Sequence, residues 1–413
     1  MKIVERKIFV IFFCAIITAM AYYFGMASYI PFSEKLYSGD WIFLGLGLFS
    51  VLTLIILVAL HRSPLFCKGM FASECASLLL LLLVEAIFSF VQYDQPFFFV
   101  VKEVLYYVIV LFVYFVFIQF RDHTKTEKML DFFIKASLAC SLIALVAFFL
   151  YSYLGINLLK FSTAEDHFRN GTVRFDVGKN IVFIGVIASL TKLVRTEHTK
   201  IDLLNIILGA IHIYFVMKTR TVVLYFLILF VVSPIFVTGA KKKWKLIGMG
   251  AFLIFLSCAA VFFSDLMRSW QMLWSDDIGN VVRIDAMQFY LKQFCESPIL
   301  GMGFVSNNSN LIVSRLLMGV DGKFYRDDVG LIGFLNAFGI AGVFWLGYFF
   351  KKTLGYIRGR TDLSSNVTKM LIVYSIISLP NLCIMNSQRV VLIAVIMVLI
   401  EYVYREDLYD KTP

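Results

Sequence analysis

Charge is scarce in this chain. Of its 413 residues only 16% are Asp, Glu, Lys or Arg, against about 25% in a typical soluble domain. A soluble chain this long needs far more polar residues to cover its surface. That excludes an ordinary cytosolic enzyme, a disordered protein and a nucleic-acid-binding domain, so no nucleic-acid partner is expected. Catalytic signatures are absent as well. There is no Walker loop, no GxGxxG ahead of a helix, no HExxH and no serine nucleophile elbow. The five histidines (His61, His123, His167, His198 and His212) are scattered, and His167 reads as a solvated loop residue. The cysteines number seven, an odd count, with no CxxC. That argues against a disulfide framework and against zinc. No internal repeat and no low-complexity linker stands out.

What the chain has is apolar sequence, 60% of all residues, with a mean hydropathy of +0.83. It runs from end to end, so no large soluble domain hangs from an anchor. The fold class expected is an all-α polytopic membrane protein, one integral membrane domain over residues 1–413. A spanning helix needs about 20 apolar residues. Candidates lie near 8–29, 41–60, 75–93, 97–120, 129–154, 178–194, 202–217, 220–238, 246–264, 329–350, 367–385 and 390–405, about 12 spans in all. The first follows Met1-Lys2-Ile3-Val4-Glu5-Arg6-Lys7 and is too long for a signal-peptide core, so it reads as a retained span. Two long gaps remain, 155–177 and 265–328.

Basic residues set the expected topology. With the N-terminus inside, the inner segments gather clusters such as Lys241, Lys242, Lys243 and Lys245, or Lys351, Lys352, Arg358 and Arg360. The short outer loops hold only Lys35, Lys218 and Arg389, with Arg220 at a helix edge. Both termini are then cytoplasmic and both long loops face outward. Arg169, Arg174, Arg220, Arg268, Arg283, Arg315, Arg326 and Arg389 fall on the side where this rule disfavours them. An anionic outer ligand would offset that; the alternative is that long translocated loops simply tolerate arginine. Arg220 opens an apolar helix, and a guanidinium at that depth needs a partner.

Within the large loop, 284–296 reads as an amphipathic helix. Ile284, Met287, Leu291 and Phe294 share one face, and Asp285, Gln288, Lys292 and Glu296 the other. Ser297-Pro298 stops it and Gly301-Met302-Gly303 gives a flexible turn. Such a helix lies on the membrane surface or caps the bundle. Ionisable residues inside spans are costly and usually paired. Glu85 and Lys102 come to similar depth across the Tyr93–Pro96 hairpin and are expected to pair, with a proton or ion relay as the other reading. Asp131 and Lys135, spaced i, i+4, read as structural. The sharpest constellation is Tyr325-Arg326-Asp327-Asp328-Val329-Gly330, where the loop re-enters the membrane. One of two adjacent acids in a confined site can act as a general base; one can equally be a helix N-cap.

These stretches carry a resemblance. Arg283-Ile284-Asp285-Ala286 with Pro298-Ile299-Leu300-Gly301-Met302-Gly303 resembles the loop motif of the O-antigen ligase/polymerase (Wzy-type) superfamily. Asp327-Asp328-Val329-Gly330-Leu331-Ile332-Gly333-Phe334 with Phe338-Gly339-Ile340-Ala341-Gly342 resembles its next helix. Lys218-Thr219-Arg220-Thr221 is similar to its Ser-Arg-Thr-Ala helix start, and Arg174-Phe175, Gly178 and Asn180 to its upstream motif. The resemblance implies glycosyl transfer between undecaprenyl-diphosphate-linked glycans, as donor and acceptor, on the outer face of the bacterial cytoplasmic (inner) membrane. It implies that Arg220 and Arg283 clamp the diphosphate and that Asp327 or Asp328 is the base. Arg174 and Arg326 then orient the second glycan or the acid pair, with Arg169, Asn180 and Arg315 as further substrate contacts. No cofactor or metal is expected, with a weak metal site at Asp276-Asp277 and Asp327-Asp328 as the other reading. A chain-length regulator is a candidate partner. Ligases of this superfamily carry a histidine near the end of the large loop, whereas residues 265–328 contain none. That favours the polymerase branch, of O-antigen or capsule type. A ligase acting on lipid A-core and a transporter of lipid-linked glycans remain the alternatives.

Overall fold

A computed structural model describes residues 69–119, 126–157, 168–169, 172–173, 178–261, 278–307, 309–386 and 389–409. The spans expected at 8–29 and 41–60 lie outside the described residues, as do His167, Arg174, Arg268 and Asp276-Asp277.

The fold is helical. The elements are α1 (Ala72–Tyr93), α2 (Phe97–Gln119), α3 (Thr126–Leu154), α4 (Lys179–Arg195), α5 (Lys200–Ile211) continuing as a π-helical turn (His212–Met217), α6 (Arg220–Phe236) and α7 (Lys242–Val261). Then follow α8 (Ile278–Glu296), α9 (Leu311–Met318), a 3₁₀ turn (Arg326–Val329), α10 (Gly330–Ile357), α11 (Leu363–Ser378) and α12 (Val391–Tyr409). One two-residue antiparallel pairing joins β1 (Phe168–Arg169) to β2 (Thr172–Val173). Every expected span within the described residues contains a helix. The span expected at 367–385 is displaced: α11 starts earlier, where Asp362 accepts from the Ser365 N–H at 2.8 Å, and stops before Pro380.

Among the described residues, four helical stretches are long and apolar enough to cross a membrane: Ala72–Tyr93, Lys128–Leu154, Lys200–Met217 and Arg326–Ile357. Their neighbours α4 and α12 are buried along most of their length, as expected of helices apolar all round. α1 and α3 instead expose apolar faces, among them Leu80, Leu83, Ile87, Leu142, Val146 and Phe149. Asp131 does not rely on Lys135. Its carboxylate accepts from Lys192 of α4, which also lies 3.9 Å from Asp202 of α5. A side chain reaching across to the next helix wins over the neighbour one turn away.

The large loop overturns one expectation. Gly301-Met302-Gly303 is not a flexible turn. Residues 301–306 are all buried, and residues 298–303 fill a break in α10 at Gly339 (φ 57°, ψ −159°). Ile340 and Ala341 donate to the Pro298 and Ile299 carbonyls at 2.9 and 3.1 Å, while Met302 and Gly303 donate to Asn336 and Ala337 at 2.6 and 2.9 Å. A helix broken in an apolar setting must have its freed backbone groups satisfied, and the loop backbone does this. On α8, Ala286, Tyr290 and Gln293 are buried, whereas Ile284 and Leu291 of the apolar stripe are exposed. Polar bonds set this rotation: Gln293 accepts from Asn336 Nδ2 at 2.9 Å and donates to the Leu316 carbonyl at 2.7 Å. Tyr290 donates to the Leu317 carbonyl at 2.6 Å.

Candidate functional site

The 3₁₀ turn Arg326–Val329 sits between the loop-filled break of α10 and the α11–α12 connection. Gly330 (φ 51°) brings it against the end of α11, where Leu331 donates to the Leu379 carbonyl at 2.9 Å. The turn divides its two acids. Asp327 is half-buried and Asp328 exposed. Neither caps α10: the residue before the helix is Val329, with no side-chain cap. The Asp327 main-chain oxygen accepts from Asn386 Nδ2 at 2.9 Å. Its charge bears on Tyr107, Tyr290 and Cys383, whereas that of Asp328 bears on Tyr290. Burial pushes the Cys383 thiol up to about 11. No third metal-type ligand stands with the two acids among the described residues.

Arg326 points the other way along the turn. Its Nη1 donates to the Gly303 carbonyl at 3.1 Å, so it holds the inserted loop. Glu85 lies beneath that loop, fully buried. The expected Glu85–Lys102 pair is not formed. Both Glu85 carboxylate oxygens lack a hydrogen-bond partner, and the charge bearing on Glu85 is that of Arg326. The inserted loop comes between α1 and the turn and determines this neighbour: Ser89 donates to the Glu85 carbonyl at 2.7 Å and accepts from Phe304 N–H at 2.7 Å. Gln95 Nε2 donates to the Phe304 carbonyl at 2.7 Å.

A second group is built from α6, α11 and the α11–α12 connection. Tyr225, one turn into α6, accepts from Asn381 Nδ2 at 3.1 Å. Its hydroxyl lies within electrostatic reach of both Arg389 and Arg283. Arg389 is only 2% exposed. Its guanidinium sits 4.7 Å over the Tyr374 ring, and its Nη1 donates to Ser378 Oγ at 2.7 Å and to the Leu382 carbonyl at 2.8 Å.

The expected site residues therefore separate. Arg326 and Asp327 are on the turn itself, whereas Arg283 is on α8 and its charge bears on Tyr225. Arg220 is exposed at the start of α6, with no hydrogen bond or ion pair among the described residues, so the partner expected of it is not supplied by them. Arg315 is exposed on α9. Asn180 is buried in the first turn of α4, and Arg169 lies on β1. Tyr225, Asn381 and Asn386 were not singled out from the sequence. The signal was present in Leu379-Pro380-Asn381-Leu382-Cys383-Ile384-Met385-Asn386, where two amides interrupt an apolar run. This arrangement can bind an oxyanion at the arginines and hold a carboxylate beside it. Neither a family model nor a curated protein matches the sequence.

Proposed function

We propose that this chain is a polytopic glycosyltransferase that polymerises undecaprenyl-diphosphate-linked oligosaccharide repeats on the outer face of a bacterial cytoplasmic membrane. The observation that carries the reading is that the α11–α12 connection holds a buried Arg389 and, through Asn386, ties down the turn that bears Asp327, with the charges of Arg389 and Arg283 both bearing on Tyr225. The apolar helices support a membrane setting. The loop docked into α10 supports a rigid site, since residues held by packed elements keep catalytic geometry better than mobile loops.

In this reading the donor diphosphate lies against Arg283, with the exposed Arg220 at its rim. Guanidinium forks match phosphate oxygens and stay charged at any working pH. The acceptor hydroxyl attacks the anomeric carbon, and its proton passes to Asp327. The bond from that carbon to the diphosphate oxygen breaks, and the lipid diphosphate leaves with the electron pair. Arginine charge stabilises the leaving group as it develops. Asp327 rather than the exposed Asp328 is the base in this reading, because its stretch of the turn is tied to the α11–α12 connection through Asn386. Attack from the face opposite the leaving group inverts the anomeric centre.

The test is purified full-length protein in lipid nanodiscs given a polyprenyl-diphosphate-linked repeat, with products read by mass spectrometry. Chains extended by whole repeats, absent with Asp327→Asn, are expected. Unextended substrate with wild-type protein would sink the reading.

A further inference from the structure

We propose that Arg389 is an anion-binding residue that takes two oxygens of the donor's diphosphate on its Nε/Nη2 edge, a role that rests on the functional reading above. The guanidinium is anchored everywhere except along this edge. Nη1 is held by Ser378 Oγ and the Leu382 carbonyl, and the planar face is held by the Tyr374 ring. Nε and Nη2 are buried and have no hydrogen-bond partner. These two nitrogens present the parallel N–H pair that grips a phosphate or carboxylate bidentately.

A buried cation left with open donors is costly and persists where something compensates it. Arginine cannot relieve the cost by losing its proton. Solvent does not reach the edge in this arrangement, so an anion enters with a movement of the connection that carries Asn381, Asn386 and Arg389. The shared chemistry is a pair of oxygens on one anionic centre. Among such anions the donor's diphosphate is the one the functional reading supplies, and the charge of Arg283, which bears on Tyr225 together with that of Arg389, favours an anion carrying more than one charge.

The experiment measures binding to full-length protein in detergent, with geranylgeranyl diphosphate as probe. Geranylgeraniol, inorganic diphosphate and glucuronate are the comparison ligands. Wild type is expected to bind the lipid diphosphate and not the alcohol. Arg389→Gln and Arg389→Lys are each expected to weaken it by about 10- to 100-fold, the range for losing hydrogen bonds to a charged group. Arg389→Lys also gives up the Nη1 bonds to Ser378 and the Leu382 carbonyl, so its melting temperature is measured beside its affinity and only folded protein is titrated. Where Arg389→Gln does not fold, Arg389→Lys decides, since it keeps the charge and loses the fork. Unchanged affinity in the Arg389 variants with loss in Arg283→Ala overturns the Arg389 assignment and leaves the diphosphate reading standing. Equal binding of alcohol and diphosphate by wild type overturns both. Inorganic diphosphate binding as tightly as the lipid overturns the lipid as source, and glucuronate doing so points to an acidic sugar.

Discussion

Asn386 donates its side-chain amide to the main-chain oxygen of Asp327 at 2.9 Å. This bond ties the α11–α12 connection to the turn that carries the proposed base. A buried neutral hydrogen bond is worth about 1 kcal/mol net, too little to decide the fold. Its larger effect is on where the carboxylate stands. We predict that Asn386→Leu leaves the protein folded and lowers turnover by about tenfold or more through misplacement of the base, with little change in donor KM. Steady-state kinetics on the lipid-linked substrate measures this, and a KM effect without a kcat effect would contradict it.

The two adjacent acids should behave differently. Asp327→Asn removes the proposed proton acceptor, and the expected loss is about 10²–10⁴-fold, the usual contribution of a general base. Asp328 is exposed, so Asp328→Asn should stay within a few-fold of wild type. Equal losses from both substitutions, measured as rate of chain extension, would remove the assignment to Asp327.

Gly339 is where α10 opens to admit the loop. Its φ of 57° with ψ of −159° is a conformation that side chains other than glycine adopt only with strain of about 1–3 kcal/mol. A Cβ there also meets the Ile299 and Gly301 backbone. We predict that Gly339→Ala lowers the melting temperature in detergent and frees the 298–303 segment to proteolysis. Wild-type melting and an intact loop would show that the break tolerates a side chain.

Cysteine labelling tests the orientation of the large loop. Cys295 on α8 is exposed and Cys383 buried. With the Cys383 thiol raised to about 11, only about one in a thousand is thiolate at pH 8, and the thiolate is the reactive form. Two single-cysteine proteins, one retaining Cys295 and one Cys383, are treated in spheroplasts with a membrane-impermeant maleimide. The Cys295 protein should label rapidly and the Cys383 protein should not. Absence of Cys295 labelling until the membrane is permeabilised would place the loop inside.

Much of the helical plan was legible because it depends on local properties. The apolar run ending at Tyr93 and the turn at Asp94-Gln95-Pro96 appear as the end of α1 and the start of α2. What was not legible depends on partners distant in sequence. Nothing near Gly301-Met302-Gly303 shows that its hydrogen-bonding groups belong to Asn336 and Ala337. Nothing in the 284–296 pattern shows that Gln293 belongs with Asn336. Glu85 and Lys102 had similar depth, and an inserted loop 200 residues onward gave Glu85 a different neighbour. In the site, Arg283, Arg326 and Asp327 were visible as charges out of place. Tyr225 and Asn386 gain their roles only from one another's surroundings.

Chain extension is tested by deleting the gene in the native host and resolving the surface glycan on a gel beside wild type and complemented strains. The ladder of long chains is expected to collapse to a single repeat on its carrier. Wild type should restore the ladder, and Arg283→Ala present at normal membrane levels should not. Loss of even the single-repeat band with build-up of long lipid-linked polymer would indicate a ligase. An unchanged ladder would contradict glycan polymerisation and ligation alike for that glycan.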